Sequence, residues 1–348
     1  MEVSPSTKNH TGASSMTEHM RADFIIFVQI FLSLIMAIGT IGNSLTIIAI
    51  ITCKKHRTTQ NVYMGGLAIS DLLVCMTLPP YTIWQLSVDR ASHMIMLTHD
   101  DNDVICKMLG MLFIGALMSS IHHLSAVAIN RYILIMKPAH VYMKLYTKQR
   151  VIGSICLIWV VSLASLLPGI LGFGSFGYNV YLGACVVTDE PMSKIMAMTI
   201  LFVPTFCVCF SVMIFAYIRI MLYFRSVSRG LHMHRGAPSV TVDTTERVSD
   251  LQQGGAASAS SKRIKKEMFV IVKLCTIFAV FVVCWAPVSL VFFLNDLALA
   301  APIWLQRLFF CIAISSSGIN VFIYAGMSKS IRQPYREILL CKWKSSNH

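Results

Sequence analysis

Seven long apolar runs, at about 24–51, 61–84, 104–136, 151–173, 195–224, 268–294 and 303–325, dominate the chain. Each reaches or exceeds the roughly 20 residues that an α-helix needs to cross a hydrocarbon layer ~30 Å thick. The runs are continuously apolar and too long for the alternating segments, about ten residues each, of an outer-membrane barrel, so spanning strands are excluded. Of 348 residues, 55% are hydrophobic and 13% charged, which is more apolar surface than a soluble fold of this length can bury. The sequence predicts an all-α bundle of seven transmembrane helices in a multi-pass membrane protein.

Orientation follows from lysine and arginine. Only Lys8, Arg21, Arg90, Lys107, Lys194 and Arg307 lie on the N-terminal side of the predicted membrane, against 22 on the other, with Lys273 inside the sixth run. This bias predicts an N-terminus outside and a C-terminus in the cytosol. The net charge of +13 is then a topology signal, and nucleic acid is excluded as a partner because no basic groove-forming domain carries the charge. Residues 1–23 are polar and lack the basic-then-apolar pattern of a cleaved signal, so they read as an extracellular tail. Residues 24–340 form one domain and 341–348 a short cytosolic tail. Within the domain, 226–261 carries Pro238, Gly254-Gly255 and a run of alanine and serine, which predicts a flexible third cytosolic loop. No internal repeat links the two halves, which counts against a transporter or channel.

Of eleven cysteines, eight fall in or beside the runs, where a small buried apolar group is the default. Cys106 and Cys185 face the oxidising side and predict a disulfide. Asn9-His10-Thr11 fits the glycosylation pattern at Asn9. Cys341, between Leu339-Leu340 and Lys342-Trp343-Lys344, fits reversible palmitoylation.

Ionisable groups inside hydrocarbon are costly and mark function. Asp71 lies mid-span, with Asn43, Ser120, Ser316 and Asn320 at comparable depths in other runs. A carboxylate among neutral oxygens suits a sodium ion held by Asp71, Ser120, Ser316 and Asn320, or a protonated acid in a water network. A hydrogen-bonded structural carboxyl is the alternative. Lys273, near the end of the sixth run, is expected to snorkel to the interface. Arg131 and Glu267 stand at the cytosolic ends of the third and sixth runs. If those ends adjoin, the pair holds the bundle shut, and its separation opens a cytosolic cleft. The alternative is two charges snorkelling separately to water. Pro287, two residues after Trp285, removes a backbone hydrogen bond and predicts a hinge beside a bulky side chain. No nucleophile, base and third group occur at motif spacing, so no enzyme is predicted.

Together these residues resemble the rhodopsin-like G-protein-coupled receptors, over about 23–341. The pattern comprises Asn43, Leu67-Ala68-Ile69-Ser70-Asp71, Cys106, Asn130-Arg131-Tyr132, Trp159, Cys185, Phe281, Cys284-Trp285-Ala286-Pro287 and Asn320-Val321-Phe322-Ile323-Tyr324. The resemblance implies a plasma-membrane receptor that carries an extracellular signal to heterotrimeric G proteins, with arrestin and membrane lipid as further partners. It assigns Arg131, Tyr132, Glu267, Asn320 and Tyr324 to coupling and switching, Trp285 to ligand sensing and Asp71 to a sodium site. No other cofactor is implied. Four departures stand out: Asn130 for an acidic residue, Val321 for a proline, Pro204 thirteen rather than eight residues before Tyr217, and Ile331 for a phenylalanine. The Asn-Arg-Tyr triplet, Cys-Trp-Ala-Pro and the missing proline after Asn320 are similar to melatonin receptors and their orphan relatives.

The ligand is constrained by what the pocket lacks. Phe113 stands where the resemblance places the aspartate of amine receptors, and Ile314 where visual pigments carry the retinal lysine. The fifth run has no histidine, and Gly169 stands where melatonin recognition implies an asparagine. A pocket of Phe113, Leu117, Trp285, Phe292 and Ile314 predicts a small apolar or weakly polar ligand, or a peptide held by external loops. Asp100-Asp101-Asn102-Asp103 and Asp189-Glu190 make the mouth acidic, which suits a basic peptide or is simply a solvated face.

Overall fold

A computed structural model describes residues 11–52, 58–92, 104–172, 175–179, 181–188, 203–235, 247–296, 301–327 and 335. Only the backbone is described for 11–21, 88–92, 228–235, 247–266, 292–293, 295–296 and 324–327. Asn9, Cys341, Ile331 and the acidic residues expected at the mouth lie outside the described residues.

Helices α1 (Thr11–Thr52), α2 (Thr59–Ser92) and α3 (Val104–Met136) are followed by a short α4 (Ala139–Leu145). Next come α5 (Lys148–Ala164), a single turn α6 (Leu167–Ile170), strands β1 (Phe176–Asn179) and β2 (Ala184–Val187), and then α7 (Val203–Arg235), α8 (Arg247–Asp296) and α9 (Ile303–Met327). Seven helices are long and apolar enough to span a membrane, with α5 and α6 sharing one span. In hydrocarbon every peptide N–H and C=O must be satisfied within the segment, which helices do.

Large apolar side chains line the outside, among them Phe27, Ile30, Leu34, Ile41 and Ile48 of α1. That exposure is neutral against lipid, so the core is defined by fit and polarity rather than hydrophobicity alone. Helix α3 is the central element, buried without a break from Phe113 to Ile121. Helix α5, with only Val151 and Ser162 buried, lies at the edge.

Helix ends differ from the sequence expectation. The helix already runs at Thr11, so part of the expected tail is helical, and α7 and α8 take in 226–235 and 247–261 of the expected flexible loop. Alanine and glutamine, good helix formers, carry α8 across Gly254-Gly255 in continuity with an apolar span. Pro79-Pro80 and Pro287 lie inside unbroken helices. Lys273 does not snorkel: it is 6% exposed.

One end of the bundle is covered by a β-hairpin that the apolar pattern does not signal. Phe176 pairs with Val187 and Tyr178 with Cys185. Its turn is closed by Asn179, whose Oδ1 accepts from Leu182 N at 2.9 Å while Nδ2 donates to Val187 O at 3.0 Å. Gly183 adopts φ +66°, a conformation that favours glycine. The Cys106–Cys185 disulfide, as expected, fastens β2 to the start of α3.

At the centre, Gly66 of α2 lets the His123 ring of α3 lie against its backbone: a Cβ there would meet ring atoms Nε2, Cδ2 and Cε1. The ring is held in place by Nδ1, which donates to Ser119 O at 2.8 Å, and by Trp159, with ring centroids 6.3 Å apart. Gly66→Ala is therefore expected to cost about 1–3 kcal/mol by overpacking. Adding His123→Ala should recover much of this loss in thermal unfolding of the purified protein.

Candidate functional site

Three groups of polar and aromatic side chains lie along the bundle axis. The deepest centres on Asp71, 1% exposed on α2. Asn320 Nδ2 of α9 donates to its Oδ2 at 2.9 Å and Ser120 Oγ of α3 to its Oδ1 at 3.3 Å, so one carboxylate joins three helices. Ser317, one turn before Asn320, lies close enough to interact with the same carboxylate. Its neighbour Ser316, the residue expected from the sequence, turns toward Trp285 instead. Spacing alone does not separate the two, since residues three and four apart on a helix are both neighbours of Asn320. Asn43 of α1 enters from the fourth side, donating through Nδ2 to Ser317 O at 3.2 Å. Its buried Oδ1 has no hydrogen-bond partner.

This donor set fits a small hard cation: one carboxylate, hydroxyls and an amide oxygen left unmatched. No cluster of three or more histidine, cysteine, aspartate or glutamate side chains suited to a metal occurs among the described residues, which makes a transition-metal site a poor fit.

Toward the hairpin, Ser316 Oγ accepts from Trp285 Nε1 at 3.3 Å and donates to Ala313 O at 2.7 Å. Trp285 of α8 stacks on Phe281 with centroids 5.9 Å apart and planes 23° from parallel. Phe206 and Phe210 of α7 extend the aromatic group to Phe281 at 6.2 and 6.1 Å. Phe113 meets Phe310 of α9 edge-on at 6.0 Å, a partner the sequence did not single out. Phe113, Leu117, Trp285 and Ile314 are all buried, and none can carry a charge. The side chain of Phe292 is not described, though its backbone lies in α8.

At the other end the two expected charges do adjoin. Arg131 Nη1 donates to Glu267 Oε2 at 3.3 Å, joining α3 to α8, with 12% of the arginine and 32% of the glutamate side chain exposed. Tyr132 packs on Phe215 of α7 at 5.6 Å. Asn130 is fully buried and donates to the Tyr142 hydroxyl of α4 at 3.3 Å. Arg131 Nε and Asn130 Oδ1 are buried with no hydrogen-bond partner. The side chain of Tyr324 is not described. Nothing in the apolar pattern singled out Tyr142, because α4 is too short to show a period.

Residues 42–324 match the family model described as "7 transmembrane receptor (rhodopsin family)". The chain is 25% identical over 311 residues to melatonin receptor type 1B-B of Danio rerio, covering 88% of this chain and 79% of that one. It is 24% identical over 359 residues to the G-protein coupled receptor moody of Drosophila melanogaster, covering 91% of this chain and 52% of the other. The structure is similar to squid rhodopsin, with a TM-score of 0.72 and 18% identity over 93% of this chain and 88% of that one, a likeness of fold.

The hydrogen bonds around Asp71 give a direct test. Asp71→Ala leaves the Asn320 amide and the Ser120 hydroxyl without their acceptor and should cost about 1–3 kcal/mol in thermal unfolding. Asp71→Asn, which keeps an oxygen for Asn320, should cost less.

Proposed function

The chain belongs to the rhodopsin family of seven-transmembrane receptors, and from that premise we propose how its residues carry the signal. It is a multi-pass plasma-membrane receptor that passes an extracellular signal to heterotrimeric G proteins, and its relatives are receptors rather than enzymes. The pair between Arg131 and Glu267 carries the mechanistic reading.

In the form described, the pair ties the ends of α3 and α8 together. Parting it frees Arg131 and opens a cleft between those ends for the G protein, with Tyr132, Asn320 and Tyr324 completing the switch. The excess of lysine and arginine supports a cytosolic location for this end. The same basic segments, near Lys54, Lys144 and Lys266, suit anionic lipid, and arrestin would use the same cleft.

The ligand we infer is small and apolar or weakly polar. Phe113, Leu117 and Ile314 offer it no counter-charge, and Trp285 donates a hydrogen bond to Ser316 of α9. A ligand that moves Trp285 therefore acts on the helix that holds Glu267. The relatives named for melatonin do not fix the ligand, since the fifth span lacks a histidine and Gly169 packs against Phe176. At the centre, Asp71, Ser120, Asn320 and the Asn43 oxygen would hold a sodium ion, whose positive charge would offset the buried carboxylate and favour the closed form.

Two measurements test this reading. A partly exposed ion pair contributes about 1 kcal/mol or less, so Glu267→Ala should raise basal G-protein activation by roughly 2- to 5-fold at matched surface level. Arg131→Ala should bring activation to background, and intact activation would overturn the mechanism. For the ion, thermal stability should be higher in NaCl than in KCl at equal ionic strength, and Asp71→Ala should abolish the difference. Equal stability in both salts for the unmodified chain removes the sodium site.

A further inference from the structure

Two basic side chains are buried among the described residues, Lys273 and Arg307, the latter 8% exposed at the hairpin end of α9. Burying a guanidinium is costly unless its donors meet acceptors or an anion, so its surroundings bear on what it serves. The hairpin lies directly on it: a Cβ on Gly183 would sit 3.0 Å from Arg307 Nε and 3.2 Å from Cζ. Gly183, at φ +66°, lets the turn close down over the guanidinium.

The face of α9 that carries Arg307 is also the face proposed to meet the ligand. Phe310, Cys311 and Ile314 follow Arg307 at i+3, i+4 and i+7, one stripe of the helix, and all three are buried. Phe310 meets Phe113 of α3 edge-on at 6.0 Å. Depth can be counted from the hydrogen bond between Asp71 and Asn320, where α2 and α9 stand level. Ile314 and Phe310 lie six and ten residues toward the hairpin, about 9 and 15 Å, and Arg307 thirteen, about 20 Å. On α2, Thr82 stands eleven residues beyond Asp71, about 17 Å along and close to three full turns, hence on the same inward face. Thr82 is 6% exposed, and its Oγ1 is buried with no hydrogen-bond partner. Beneath the hairpin, the apolar layer is thus capped by a level that holds one positive charge and one unsatisfied hydroxyl.

We propose that Arg307 and Thr82 form an anion-binding subsite at the outer end of the ligand pocket, and that the ligand is an amphipathic carboxylic acid. Its apolar body lies against Phe113, Phe310 and Ile314, and its carboxylate accepts from the guanidinium and from the Thr82 hydroxyl. One guanidinium matches one carboxylate in charge and in its two-point geometry, and its five N–H donors allow a second partner at the same time. A cationic ligand would meet a like charge at this level.

This inference rests on the receptor reading and deepens its ligand, and its test needs no G protein. The purified chain in lipid nanodiscs is heated with phenylalkanoic acids of increasing chain length and with the corresponding amides, which keep the body and lose the charge. A compound that binds the folded form raises the melting temperature with concentration, which yields a dissociation constant. At least one acid should bind the unmodified chain about 10- to 100-fold tighter than its amide, the size of a hydrogen-bonded contact to a charged group. Arg307→Gln should weaken the acid by that factor and leave the amide unchanged, and Arg307→Lys should lose only part. Thr82→Val should weaken the acid by about 2- to 10-fold, as one neutral hydrogen bond does.

A series in which no acid is preferred over its amide overturns the proposal. So does a preference that survives in Arg307→Gln, whose arginine would then serve only to seat the hairpin. Should Arg307→Gln not fold, equal acid binding by Arg307→Lys, Thr82→Val and the unmodified chain overturns it instead. If an acid binds through Arg307 while the unmodified chain and Glu267→Ala give no G-protein activation with or without it, the receptor mechanism fails and the subsite stands.

Discussion

A peptide group in hydrocarbon has no water to bond with, and that constraint organises this molecule. It forces seven long helices and leaves their outward surfaces chemically indifferent, since leucine or phenylalanine against lipid gains nothing by turning inward. What then distinguishes inside from outside is polarity. Asp71, Asn43, Asn320, Ser120 and Ser317 come from four helices to one place because each would otherwise face lipid with unmatched donors or acceptors. The polar centre therefore sets helix rotation as much as apolar packing does.

From that centre the structure is a chain of contacts between residues whose roles differ. Ser316 and Ser317 are neighbours, yet a rotation of about 100° per residue sends one to Trp285 and the other toward Asp71. Helix α9 thus touches both the proposed ligand region and the proposed ion site within one turn. Helix α8 carries Trp285 and Glu267 eighteen residues apart on one continuous rod, about 27 Å at 1.5 Å per residue. A rigid rotation or tilt of α8 can therefore be felt at both ends without any contiguous path of side chains between them.

The parts legible in the sequence are those the bilayer imposes. Span number, the Asp71–Asn320 neighbourhood, the Arg131–Glu267 pair and the Cys106–Cys185 link all follow from length, depth and side. Depth along a helix can be counted from the sequence, whereas rotation about it requires knowing the neighbours, so the sequence points to Ser316 while its hydroxyl meets Trp285. Lys273 was placed at the interface because its depth allowed snorkelling, yet its burial depends on which face of α8 it occupies. The hairpin and α4 were missed for another reason. Both lie outside the apolar runs, and elements of four to seven residues are too short to show a period. Gly66 and His123 escaped notice because each is unremarkable alone, and only their contact across α2 and α3 gives the glycine a purpose.

The replacement of an acid by Asn130 alters the energetics of the Arg131 end in a definite direction. An adjacent carboxylate would hold the guanidinium through a contact within one helix, close in sequence and indifferent to where α8 lies. With an amide instead, the charge-assisted restraint on Arg131 described here comes from Glu267, 136 residues away on another helix and about one-third exposed. An ion pair so placed is screened by solvent and contributes on the order of 1 kcal/mol or less. The hydrogen bond from Asn130 to the Tyr142 hydroxyl adds a contribution of similar size. In the proposed mechanism, the balance between closed and open forms then rests on contacts as small as these. A ligand that acted on α8 would then need only a differential affinity of that order to shift the population severalfold.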